Sequence, residues 1–334
     1  MSFLDYEEIR KWTTGNTNTP LESLLQTRAM PPWPADPTVG HFKNNLHLTE
    51  PELKLLLEWI AAGLPRGEGQ AQSAKRWVEG WNIGEPDAVF ELPEQTVGED
   101  EFSATREVIV ETNFEDDRWV IAAEARPGDA ELVTRIEAGA LGGFRPGNSF
   151  VVHPQGTGRL LKRGESIRVT LQYRNQFGLE SNDRSKLGVV FAEVDAPVPG
   201  PIVEERMAAP DFTIPAGAPQ VEVRTRFEFP ADGRIVALTP TMQLRGKDVR
   251  YEAVTPDGTR HALLSIPVWD PSWQFRYELK TPLAVPRGTI VEAVAHFDNS
   301  EENLMNPDPT IDVKARRGAE EFFEGWIAYM LDAE

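Results

Sequence analysis

From residue 107 onward, apolar residues come in short alternating runs, and each run ends at a cluster of Pro, Gly or Asp. The runs are Glu107–Glu111, Arg118–Ala123, Ser166–Tyr173, Gly188–Val194, Gln220–Phe229, Arg234–Leu238, Asp248–Val254 and Thr289–His296. Arg126-Pro127-Gly128-Asp129, Pro230-Ala231-Asp232-Gly233 and Pro256-Asp257-Gly258 supply turn chemistry between them. Alternation with period two puts every second side chain on one face, and no helical segment intervenes to cross over between parallel strands. The pattern predicts antiparallel β-sandwiches. Asp195–Pro201, with three prolines and a glycine, splits this region into two halves of similar size.

The first 64 residues read differently. Phe3 to Trp12 forms a short helix with Ser2 as N-cap, and Pro20 opens a second one carrying Leu21, Leu24 and Leu25. Met30-Pro31-Pro32-Trp33-Pro34 cannot be helical, because its prolines remove donors and force extended backbone before them. Thr49 then caps a helix on which Glu52 completes a capping box and Leu53, Leu56, Leu57 and Ile60 recur at helical spacing. Gly63 stops it, with Pro65 following. Residues 66–76 form a linker. The expected organisation is a helical domain over 1–66, a first sandwich over 67–200 and a second over 201–334.

A chain of 334 residues exceeds what one core ordinarily serves, in keeping with that division. Its 53 acids against 34 bases leave a formal charge of −19, which repels phosphate backbones and anionic lipid, so neither nucleic acid nor a membrane is an expected partner. No apolar run is long enough to span a bilayer. The acidic N-terminus has no signal-peptide pattern, so a cytoplasmic location is expected. Cysteine is absent, which excludes disulfides, thiolate metal sites and covalent haem attachment. The five histidines, His41, His47, His153, His261 and His296, never fall within three or four residues of each other, so no local metal motif exists. No metal or other cofactor is expected.

Several longer strings go beyond propensity: MPPWPAD (30–36), LLLEWIAAGLPRG (55–67), GWNIGEPDAVFELP (80–93), LQYRNQFG with DRSKLGVVFA (171–192), MQLRGKDVRYEAVTPDG (242–258), WQFRYELKTPLAVPRGT (273–289) and AHFDNSEENLMNPDP (295–309). Together they resemble the bacterial copper type II ascorbate-dependent monooxygenase-like proteins, which join a cytochrome c-like domain to the two-sandwich fold of peptidylglycine and dopamine β-monooxygenases. The resemblance implies a mainly β fold: two antiparallel jelly-roll sandwiches behind a small α-helical cytochrome c-like remnant. It also implies where metals would sit, and there the match fails. Met30 stands at the family's axial haem methionine, but the cysteines and proximal histidine are missing. Thr134 and Arg135 replace the His-His pair of the first copper site, and Gln172, ahead of Tyr173, replaces its third histidine. Thr239 and Thr241 replace the His-x-His of the second site, with Gln243 at a further histidine and Phe322 at the methionine. Type II copper requires imidazoles with a thioether, so this set implies a metal-free relative.

The family geometry implies that Thr134, Arg135, Gln172, Tyr173, Thr239, Thr241, Gln243 and Phe322 face one another across an inter-sandwich cleft suited to a small organic molecule. Arg135 requires a partner there, either an anionic ligand, which the polar groups around it favour, or a carboxylate such as Glu137, two positions along the same strand face. Catalytic candidates are Glu137, Glu321 beside Glu320, and His296 with Asp298 on its face. As an isolated pair, Arg135 and Glu137 read as a surface ion pair, and Glu320 and Glu321 as solvated edge charges. Trp59, Trp77, Trp81, Trp119, Trp269, Trp273 and Trp326 read as scaffold, and the 298–309 loop as a rigid turn rather than a calcium site. The helix over 50–62 and the Trp33 turn are expected to pack on the first sandwich. The function expected is small-molecule binding, with any catalysis of a cofactor-independent lyase, isomerase or cyclase kind. The alternatives are a non-catalytic pseudoenzyme or engineered scaffold, and a copper monooxygenase with relocated ligands.

Overall fold

The computed structural model describes residues 6, 9–10, 13, 20–68, 80–145, 148–175, 177–193, 200–316 and 319–332. Most of the first expected helix with its Ser2 cap, linker residues 69–76, Trp77, Val194 at the end of the fourth run and residues 195–199 of the divider lie outside them. The chain is mainly β. Among the described residues, no helix is long and apolar enough to cross a membrane.

The helix Glu50–Ala61 forms where its caps place it. Thr49 Oγ1 accepts from Glu52 N–H at 3.4 Å and Glu52 Oε2 accepts from Thr49 N–H at 2.8 Å, closing the capping box. Gly63, at φ +82°, ends it: its N–H reaches Ile60 O while that of Leu64 reaches Trp59 O, a Schellman stop. None of its residues is buried, so its leucine stripe covers only partly shielded surface. The shorter helix Leu21–Gln26 buries Leu21 and Leu25.

Four larger sheets hold most of the strands. In the first, Ala88–Glu91, Lys186–Phe191, Arg118–Arg126, Thr157–Leu161 and Gly200–Pro201 lie side by side, with Phe150–Val152 also pairing with Arg118–Arg126. The second runs Ser103–Glu111, Ser166–Arg174, Val133–Glu137, Gly143–Phe144. One apolar cluster, including Val120, Ala123, Ile136, Val169, Leu171 and Val189, draws on both. The third sheet runs Val203–Ala208, Glu324–Leu331, Gly233–Thr241, Tyr277–Val285, and the fourth Val221–Glu228, Ile290–Phe297, Gly246–Val254, Arg260–Ile266. They too share a cluster, with Ile235, Leu238, Tyr251, Ala293, Phe297 and Ile327 among its members. All eight expected runs fall on strands, with ends shifted by a few residues.

The N-terminal segment corrects one expectation. Trp33, Ala35 and Phe42 belong to the cluster of the third and fourth sheets, not to that of the first two. The Trp33 ring meets Phe42, Phe275 and Tyr277 with centroids 6.0, 5.3 and 5.0 Å away. Backbone bonds fix the docking: Asp36 N–H to Ser265 O at 2.8 Å, Lys43 N–H to Glu278 O at 2.8 Å and Lys280 N–H to His41 O at 2.7 Å. Gly40 permits the approach, because a Cβ there would lie 2.4 Å from Leu263 O. The segment thus extends the edge strand Tyr277–Val285, whose unpaired side would otherwise be open. Asn44 adds a clasp on both sides of that strand's start, donating to Arg276 O at 2.7 Å and accepting from Glu278 N–H at 3.2 Å.

Candidate functional site

Between the two sheet pairs lies a cavity of about 220 Å³. Its first wall comes from Glu137, Thr170 and the rim residues Gly143 and Arg145, and its second from Glu204, Thr239, Arg276 and Trp326. The rim can fold this closely because residue 143 is glycine, where any Cβ would fall 1.8 Å from Ile136 O. Among the described residues, two polar side-chain contacts join the walls. Arg135 Nη2 stands 3.5 Å from Thr241 Oγ1. With the Asn148 amide oriented to satisfy its neighbours, its Oδ1 accepts from Arg276 N–H at 3.2 Å and its Nδ2 donates to Phe150 O at 3.2 Å.

Charge governs the interior. Arg135 is 5% exposed, and its guanidinium pairs with Glu137 Oε1. Arg145 reaches the same oxygen at 3.2 Å. On the facing wall Arg276 pairs with Glu204. Burial, then the charge of Arg135, pulls the Arg145 guanidinium down to about 9. Sequence reasoning missed Arg145, Arg276, Glu204 and also His153, a buried imidazole with no hydrogen-bond partner for either ring nitrogen. Burial and the nearby Arg276 push His153 down to about 4, so the ring is neutral near pH 7.

The expected residues divide. Thr239 lines the cavity, and Thr241 and Arg135 lie behind it at the junction. Arg135 and Glu137 do pair along one strand, although Arg135 is buried rather than on the surface, and its partner is this carboxylate. Thr134 sits at a bulge and donates to Gln172 O at 3.1 Å, so both serve the strand pairing. Tyr173 points the other way, into the core, where its hydroxyl donates to Asp183 Oδ2 at 3.1 Å; burial and that carboxylate push its pKa up. The reason is alternation: Arg168 and Thr170 line the cavity, so residues of opposite parity face the core. Gln243 lies in the turn after strand Gly233–Thr241, and Phe322 is half-buried beside the core residue Phe323; neither lines the cavity.

The catalytic candidates are also re-sited. Glu137 Oε1 is held by two guanidinium groups, which makes it an anchor rather than a free base. His296 Nδ1 lies 2.7 Å from Asp248 and its Nε2 3.4 Å from Glu222, so its partners are cross-strand carboxylates rather than Asp298. Asp298 instead binds Ser300. Glu320 stays exposed, but Glu321 is wholly buried, accepting from Arg245 N–H at 2.9 Å with its other oxygen unpartnered. The Arg245 side chain, equally buried, links Glu320 at 2.7 Å and Asn299 at 2.9 Å, and ties the 298–309 loop to the sheet.

Burial raises the Glu321 carboxyl to about 7, from the ordinary 4.5, against the opposing pull of Arg245. Between those values the folded chain holds a proton that the unfolded chain releases, so stability falls as pH rises from about 4.5 through 7. Glu321→Gln removes this dependence. Urea unfolding should show the variant gaining up to about 3 kcal/mol relative to the native chain between pH 4 and pH 8. A pH-independent difference would contradict the assignment.

Among the described residues, no group of three or more His, Cys, Asp or Glu is placed to hold a metal ion. No protein-family model matches the chain, and no curated protein matches it. Among solved structures the chain is similar to the major capsid protein P2 from bacteriophage PM2, at 9% identity over 74% of this chain and 98% of that one, with a TM-score of 0.31. It is also similar to the infectious bursal disease virus VP2 subviral particle, at 10% identity over 73% and 71% with a TM-score of 0.23. A two-domain protein of unknown function from Bacteroides fragilis aligns at 10% identity over 68% and 84%, with a TM-score of 0.21. Superpositions this loose carry no argument about function.

Proposed function

We propose that the chain is a metal-free relative of the copper type II monooxygenase-like proteins, built as two antiparallel jelly-roll sandwiches behind a cytochrome c-like remnant, and that its inter-sandwich cleft binds a small organic molecule. The supporting observation is the cavity of about 220 Å³ lined from both sheet pairs, with Thr239, at a family copper position, in its wall. That volume equals roughly seven waters at about 30 Å³ each, which suits a metabolite and not a peptide. Any catalysis there is cofactor-independent.

Copper does not fit the residues present. The hydroxyl of Thr134 is spent on Gln172 O, the Arg135 guanidinium is cationic and paired, and Thr239, Thr241 and Phe322 offer no imidazole or thioether. Haem fits no better, since Met30 has neither cysteines nor a proximal histidine to work with. Protein soaked in Cu(II) and desalted should retain well under one copper per chain; stoichiometric copper with a type II paramagnetic signal would overturn the metal-free reading. Cleft binding is tested by thermal unfolding against a metabolite library, in which at least one compound should raise the Tm saturably. A blank library favours the non-catalytic scaffold reading.

A further inference from the structure

The groups around the cavity are unevenly divided between donors and acceptors. Nε of Arg145, Nε of Arg276 and Nε1 of Trp326 are shielded from water and reach no acceptor. All three side chains line the cavity. Behind them, Arg135 Nε is in the same position. Among the described residues, the buried side-chain carbonyl and carboxylate oxygens that lack a donor are Gln274 Oε1 and Glu321 Oε2, and neither residue lines the cavity. An N–H buried without an acceptor is costly, and a ligand oxygen is the partner that offsets this cost.

The charges around the cavity are paired across a few oxygens. Arg135 and Arg145 share one oxygen of Glu137, and Arg276 takes Glu204, with Glu278 standing 3.7 Å from Arg276 Nε. At the mouth Glu107 is engaged by Arg168 at 2.8 Å. The buried guanidinium groups of Arg135 and Arg276 and the half-buried one of Arg145 therefore face Glu137, Glu204 and Glu278, so the charges balance while the Nε donors stay without a hydrogen-bond acceptor. Arg145 and Arg276 come from opposite walls and lie close enough to oppose each other's charge.

Resting on the cleft-binding reading above, we propose that the ligand is a small dianion gripped by Arg145 from the first wall and Arg276 from the second. A guanidinium presents Nε–H and Nη–H as a fork that matches two oxygens of one oxyanion. The Nε atoms are turned away from the open space, so the proposed binding requires each side chain to turn its fork into the cavity. The repulsion between the two cations then becomes shared attraction to one ligand, which ties the two sheet pairs together. An organic dicarboxylate and inorganic phosphate share this chemistry. The apolar faces of Phe150, Val151 and Trp326 leave room for a short methylene chain.

The test is isothermal titration near neutral pH, in low-salt buffer free of phosphate, with succinate, its neutral diamide succinamide, and then inorganic phosphate. A dianion should bind at least about tenfold more tightly than succinamide. Arg145→Met and Arg276→Met should each weaken it about tenfold or more, and the double variant little further, since a bridge is lost with either end. Tighter succinate assigns the source as a dicarboxylate, and tighter phosphate assigns it as a phosphate. If a Met variant does not fold, Thr170→Trp serves instead, because it fills the cavity without touching either arginine, and it should abolish dianion binding. Equal affinity for succinamide, or dianion binding that survives Thr170→Trp, overturns the proposal. Should no dianion bind while a neutral library compound does so in the cavity, this inference fails and cleft binding stands; a blank library removes both.

Discussion

Trp33→Ala is expected to lower the stability of the third and fourth sheets by about 3–5 kcal/mol, the usual cost of truncating a buried aromatic. The indole is 5% exposed and touches Phe42, Phe275 and Tyr277, so its removal leaves a void that rings of fixed geometry cannot close. The effect should reach the cavity, because the same segment holds the backbone of Arg276 through Asn44. Urea unfolding followed by intrinsic fluorescence should show a lower midpoint with an unchanged slope. A loss below about 1 kcal/mol would show that the segment is tethered rather than part of the core.

The second large effect concerns the Arg135–Glu137 pair and is asymmetric. Glu137→Leu strands Arg135 in the junction with, among the described residues, Thr241 Oγ1 at 3.5 Å as its remaining side-chain partner, and deprives Arg145 of the carboxylate 3.2 Å away. Removing one member of a buried pair and leaving the other charge behind costs about 3–5 kcal/mol. Arg135→Met is different. The carboxylate left behind keeps Arg145 at 3.2 Å and its side chain is 30% exposed, so a loss under about 1.5 kcal/mol is expected. The double variant should recover part of the Glu137→Leu loss. Equal losses from the two single variants would mean that the pair is not arranged as described.

Much of the fold was legible because local rules agreed. The capping box at Thr49 and the glycine stop at Gly63 bound a helix whose four apolar positions repeat at helical spacing. Alternating strands such as Ser166–Arg174 declared themselves by period. Many others did not, among them Glu324–Leu331 and Tyr277–Val285. Glu324–Leu331 is buried on both faces along most of its length, so from Gly325 onward its sequence is an apolar run without alternation. Tyr277–Val285 contains Pro282, which is tolerated because the strand is at a sheet edge. The docking of Trp33 on the wrong side of the expectation has the same kind of cause, since its partners Phe275 and Tyr277 are over two hundred residues away and no local pattern encodes that contact.

The site was legible only where it is local. Arg135 and Glu137 could be paired from their spacing. Arg145 comes from the rim of the second sheet, Glu204 from a strand of the third sheet and Arg276 from the approach to another strand of that sheet, 72 residues away in sequence; each alone is an ordinary charged residue. Tyr173 misled because a motif neighbour was taken along with Gln172, although adjacent residues of a strand face opposite ways.

The claim at the centre of the account is that the cavity between the two sheet pairs is where a small molecule binds. Thr170 lines that cavity from the strand Ser166–Arg174 and its side chain makes no hydrogen bond among those described, so Thr170→Trp should fill the space without breaking a network. The decisive measurement is the affinity of the best stabilising library compound for the native chain and for folded Thr170→Trp, titrated side by side. Cleft binding predicts that the variant loses the compound by about a hundredfold or more, some 3 kcal/mol, while its fold is retained. Equal affinity in the two proteins would place the compound elsewhere and contradict the account.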